Sequence, residues 1–79
     1  MLVKMKRVPG TDVYSSNIKI DGLAKYKILA DRYTGEGKKG NIKGTVWEGY
    51  ECINGWYKST GISLTMKALV KEFQHNENK

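Results

Sequence analysis

Asn54 and Gly55 stand between two apolar, aromatic runs, Tyr50 to Ile53 and Trp56 to Thr60, and this pair restricts the fold more than any other dipeptide in the chain. A type I′ turn needs positive φ at both central residues, which Asn and Gly tolerate, so the two runs are expected to be antiparallel strands of one hairpin. Asp21 and Gly22 repeat the signal between the strand formers Val13 to Ile20 and the run Lys25 to Tyr33. In that second run Tyr26, Ile28 and Ala30 alternate with Lys25, Lys27 and Asp31, giving one apolar and one wet face. Leu29 is the exception to the alternation.

Other stretches are read the same way. Thr34 to Gly40 holds three glycines in seven residues and is expected to be a loop. Ile42, Gly44 and Val46 then alternate with Lys43, Thr45 and Trp47 as a strand, and Glu48 and Gly49 separate it from the strand starting at Tyr50. Near the start, Leu2, Val3, Met5 and Val8 make a weak first strand closed by a turn at Pro9 and Gly10. Met66, Leu69, Val70 and Phe73 fall at helical spacing behind Ser63 and Thr65, either of which can cap a helix. The alternative there is a helical turn over Thr65 to Ala68 followed by a last strand, Leu69 to Phe73. Gln74 to Lys79 is polar and expected to fray.

The expected fold is therefore mostly β. It is a small barrel or a rolled antiparallel sheet of five to six strands with a short C-terminal helix or helical turn, forming one domain over 1–73 with a polar tail at 74–79. Five features over about three fifths of the chain carry a resemblance: the strand Tyr26 to Tyr33, the Gly-Lys-Lys-Gly turn at 37–40, the strand Asn41 to Trp47, the Asn54-Gly55 hairpin and a closing Leu69 to Phe73. This layout resembles an SH3-like barrel, in particular its KOW-type bacterial and phage variants. Gly55, Trp56 and Tyr57 stand where peptide-binding SH3 domains have Gly-Trp-Trp, but the Ala-Leu-Tyr-Asp-Tyr opening is missing. The resemblance implies binding rather than catalysis, and it does not choose the ligand.

Composition narrows the ligand. In 79 residues, 14 Lys and Arg oppose 8 Asp and Glu, for a formal charge of +6. That surplus favours polyanions, nucleic acid before an acidic protein surface, and an anionic membrane last. Lone Cys52 excludes an internal disulfide, so the domain must hold by packing, which suits a reducing cytoplasm. Met1 to Arg7 lacks the apolar run of roughly seven residues or more that a signal peptide needs. Frequent Lys, Asn and Ile point to an A+T-rich bacterial or phage genome.

For catalysis or metal binding the sequence offers isolated groups. Cys52 has no His near it in sequence, His75 lies in the polar tail, and Asp31, Glu36, Glu48 and Glu51 are scattered. We expect neither an enzyme nor a cofactor nor a metal. Lys19, Lys25, Lys27, Lys38, Lys39 and Lys43 are the candidates for phosphate contacts, the last three within a glycine-rich stretch. Trp47, Tyr50, Trp56 and Tyr57 lie within eleven residues, and Trp47, Tyr50 or Tyr57 are candidates for stacking on bases or on a partner. At least two of the four are expected to be core, Trp56 first. Three functions follow: a nucleic-acid-binding module, a phage or mobile-element protein that blocks a host protein through an acidic surface, or a sponge for a small anionic nucleotide. Unpaired strand edges would also let the chain form a homodimer.

Overall fold

A computed structural model describes residues 1–37 and 40–79, with residues 36, 37 and 41–43 described by backbone alone. Among the described residues seven strands precede one helix: β1 Met5–Arg7, β2 Val13–Ser16, β3 Lys19–Ile20, β4 Leu23–Ala24, β5 Tyr26–Gly37, β6 Gly40–Ile53, β7 Trp56–Ser63 and α1 Met66–Glu77. Strands β1, β2, β5, β6 and β7 form one antiparallel sheet in that order, and β3 and β4 make a separate small hairpin. No pairing joins the edge strands β1 and β7 among the described residues. Nor is any helix among them long and apolar enough to cross a membrane.

Both dipeptide turns form as the sequence requires. Asp21 and Gly22 have φ of 51° and 80°, and Asn54 and Gly55 have 52° and 83°. The strand expected over Val13 to Ile20 is split, because Asn17 leaves the ladder. Its side-chain oxygen accepts from the N–H of Lys4 at 2.8 Å and its amide donates to the carbonyl of Leu2 at 2.9 Å. Buried Ser16 closes the same corner, donating to the Ile18 carbonyl and accepting from the Tyr26 N–H, so no polar group there is orphaned.

Helix α1 settles the ambiguity at the C-terminal end. Thr65 caps it, its Oγ1 accepting from the N–H of Ala68 at 3.3 Å. Leu69 and Phe73 are buried, and Met66 and Val70 pack on the core beside them. The closing strand that the barrel resemblance implies over Leu69 to Phe73 is therefore helix. The core is Val3, Ile18, Tyr26, Ile28, Leu69 and Phe73, with the rings of Tyr26 and Phe73 stacked at 4.3 Å.

Three further expectations are corrected. Thr34 to Gly37 is strand rather than loop: Thr34 pairs with Lys43, Gly35 with Ile42 and Gly37 with Gly40. Beyond Ala30 and Trp47 these two strands have no third neighbour among the described residues, so residues 31–37 and 40–46 form a two-stranded ribbon leaving the sheet. Second, Glu48 and Gly49 do not separate two strands; β6 is continuous, and the irregularity lies opposite, where β7 carries an extra residue between the Gly49–Gly61 and Tyr50–Ser59 pairs. A Cβ on Gly49 would lie 3.0 Å from Phe73 Cζ and 3.3 Å from Leu69 Cδ2, so glycine is there to let the helix approach.

The third correction concerns the polar tail, which is helical through Glu77. Gln74 accepts from the N–H of Val3 at 2.8 Å and donates to the carbonyl of Met1 at 2.9 Å. Glu77 Oε2 accepts from Lys25 Nζ at 2.7 Å and from the Tyr26 hydroxyl at 2.6 Å. Those two donors, Lys25 first, hold the Glu77 carboxyl below its ordinary value of 4.5. A depressed carboxylate contributes stability that is complete above the unfolded-chain value and is lost as pH falls through the folded one. Glu77→Gln should therefore cost about 1–2 kcal/mol at pH 7. The gap between variant and parent in urea unfolding should narrow as pH falls below the ordinary carboxylate range; a gap unchanged at pH 3 would contradict the assignment.

Candidate functional site

The helix covers one face of the sheet and leaves the other open. Residues directly opposite in an antiparallel ladder share a face, so register alone defines what the open face carries. Lys6 pairs with Ser15, Ser15 with Lys27, Lys27 with Tyr50 and Tyr50 with Ser59, one row crossing all five strands. A neighbouring row runs from Val13 through Leu29 and Glu48 to Ile62. Tyr57 pairs with buried Cys52.

These rows meet in a shallow apolar dimple lined by Val13, Leu29, Lys27, Tyr50 and Tyr57. Lys27 Nζ lies 4.6 Å from the centroid of the Tyr57 ring, a cation–π contact. Both tyrosines are half-buried, and their hydroxyls are tied down. Tyr50 donates to Glu48 Oε1 at 2.8 Å and Tyr57 donates to the carbonyl of Ala24 at 2.8 Å. Ser59 donates to the other Glu48 oxygen at 2.7 Å, and these two hydroxyls hold the Glu48 carboxyl below the usual carboxylate range. The Tyr50 hydroxyl is pushed up, first by its bond to Glu48 and then by burial; burial also raises Tyr57. Rings anchored at both ends lose little freedom when a ligand arrives.

Beyond Ser15 the row runs into a second shallow cleft along the β1 edge. Lys4, Lys6, Arg7 and Lys19 line it and no carboxylate does. None of the four makes an ion pair among the described residues, where only Lys25 with Glu77 and Arg32 with Asp12 do so.

Of the residues singled out from sequence, Lys27, Tyr50 and Tyr57 come together in the dimple, and Lys19 joins the edge cleft. Lys25 does not take part, being engaged by Glu77. Trp47 shares the helix-side face with Ala30 and packs against the core, its ring edge-on to Tyr14 at 5.9 Å. Trp56, expected to be core, is 80% exposed, because it follows the Asn54-Gly55 turn directly, at the hairpin tip. Lys38 and Lys39 lie outside the described residues, as does the side chain of Lys43.

Sequence reasoning missed Lys4, Lys6, Arg7, Val13 and Leu29. The alternation of Lys4 and Lys6 about Met5 was a signal for an edge strand with a charged outer face, and the break at Leu29 was a signal for an apolar spot on the wet face. Among the described residues no three His, Cys, Asp or Glu side chains gather to hold a metal ion. No family model, curated protein or solved structure matches the chain.

Proposed function

We propose that this protein binds nucleic acid on the open face of its sheet. The observation that carries the reading is the row from Lys6 to Tyr50, which leads from an edge cleft of four cations, none of them ion-paired among the described residues, to two anchored tyrosines around an apolar floor. Cations take phosphates and set salt dependence; aromatic side chains take base faces, at about 1–3 kcal/mol each. Lys6 and Lys27 share the face of the tyrosines, and the net charge of +6 adds long-range attraction.

Fluorescence anisotropy with labelled oligonucleotides over a salt series tests it. Binding should weaken as salt rises, and the double variant Lys6→Gln, Lys27→Gln should reduce the slope of log K against log salt by about 1.4–1.8, two phosphate contacts' worth. No binding to any DNA or RNA at low salt refutes the reading.

A second reading rests on Trp56, 80% exposed beside Ile53 at the hairpin tip. An exposed tryptophan on a cationic body fits a hot spot for an acidic protein surface. A stoichiometric, nuclease-resistant complex that Trp56→Ala abolishes would favour it over nucleic acid.

A further inference from the structure

Resting on the nucleic-acid reading, we infer that the strand bound is single, with an unpaired base seated in the dimple of Val13 and Leu29 between Tyr50 and Tyr57. Three observations converge on this. The tyrosine rings are half-buried and pinned by Glu48 and Ala24, so they lie in the sheet surface and do not project from it. A duplex shows only base edges, inside grooves about 6 and 12 Å wide, and its base faces are stacked away from any flat surface. Side chains that do not project cannot reach those edges, whereas an unpaired base can lay its face on them.

The dimple is also built for a ring rather than a charge. Both hydroxyls are already bonded within the protein, and the floor is Val13 and Leu29. What remains on offer is apolar and aromatic surface with one ammonium, Lys27, at its rim.

The charges around it are one-sided. From Lys27 the cations continue through Lys6 to Lys4 and Lys19 at the β1 edge. On the same face, towards the ribbon, Asp31 and Glu48 present carboxylates. A single phosphate chain can leave the dimple along the cationic row, over the ~10 Å that the two interstrand steps from Lys27 to Lys6 span, and avoid the carboxylates. A duplex carries two backbones, and the second would fall on the acidic side or lie off the sheet.

The test compares a single-stranded oligonucleotide with the blunt duplex of the same sequence, both by anisotropy on the full chain. The single strand should bind at least about tenfold tighter. Tyr50→Ala should lower single-strand affinity by about 5-fold to 150-fold, the range for one lost stacking contact, and leave duplex affinity within twofold. Tyr50→Phe keeps the ring and should keep the affinity, separating loss of stacking from loss of the bond to Glu48. Should Tyr50→Ala prove poorly folded, Leu29→Gln puts a polar group into the apolar dimple from a different strand without changing the net charge and should have the same selective effect. A 2-aminopurine in the single strand should change its fluorescence on binding to the parent and not to Leu29→Gln. Equal or tighter duplex binding, or a Tyr50→Ala that weakens both forms alike, overturns the single-strand inference and leaves nucleic-acid binding standing. Absence of binding to either form overturns both.

Discussion

Phe73→Ala should remove about 3–5 kcal/mol of stability, the cost of truncating a buried phenylalanine whose neighbours only partly collapse into the space. Phe73 is 2% exposed, stacks on the buried ring of Tyr26 at 4.3 Å and meets Gly49 from the helix side. For a chain of 79 residues the whole folding free energy is about 4–12 kcal/mol, so the loss is about a quarter of the total or more. In thermal unfolding this means a fall in Tm of at least about 12 °C. Trp56→Ala makes the control: a larger aromatic is lost, but it is solvent-exposed, and Tm should move by no more than a few degrees. A Phe73→Ala protein melting close to the parent would mean that the helix does not hold the sheet as described.

The second large effect is expected from adding atoms. Gly49→Val would place its Cβ 3.0 Å from Phe73 Cζ and 3.3 Å from Leu69 Cδ2, and 2.6 Å from Thr60 Oγ1, before its two methyl groups are counted. Overpacking of this kind costs typically about 1–3 kcal/mol, and Val should lie at or beyond the upper end because helix and strand must separate to admit it. Gly49→Ala should cost less, and its cost should depend on what faces it. Phe73→Leu withdraws the Cζ that the new methyl meets, so the double variant should be more stable than the sum of the two single losses predicts. Denaturant unfolding of the four proteins in that cycle measures the coupling; strict additivity would show that Gly49 and Phe73 do not share the space.

What could be read from the sequence was whatever local chemistry fixes alone. Asp21-Gly22 and Asn54-Gly55 declared their turns because so few residues accept positive φ, and the spacing of Met66, Leu69, Val70 and Phe73 pointed to a helix while leaving a turn followed by a strand open. The alternation from Tyr26 to Ala30 gave the right inner face. Gly49 was misread because its role is tertiary: it admits a helix from elsewhere in the chain, whereas local rules read glycine as a break. Gly35, Gly37 and Gly40 misled in the same way, since pairing across the ribbon overrides their preference for turns. For the candidate site, the sequence supplied Lys27, Tyr50 and Tyr57 but not the reason they matter. Which side of the sheet the helix would cover decided that Trp47 is packed and Tyr50 open, and no local pattern encodes that. Lys25 was lost to Glu77, fifty-two positions away, an ion pair no window of sequence displays.

Strand order carries a consequence for how quickly the molecule is made. β1 with β2, β5 with β6 and β6 with β7 each join neighbours through a short connection, and β2 reaches β5 across only the small β3–β4 hairpin. Such a sheet can zip from the Asn54-Gly55 turn outward with small loop-closure cost, placing the chain among the faster-folding β topologies. The helix instead fastens to partners far off in sequence, Gln74 to Val3 across 71 positions and Glu77 to Lys25 across 52, contacts that the transition state need not contain. Loss of Gln74 or Glu77 is accordingly expected to shorten the lifetime of the folded molecule more than it slows folding, a split that stopped-flow folding and unfolding rates would measure.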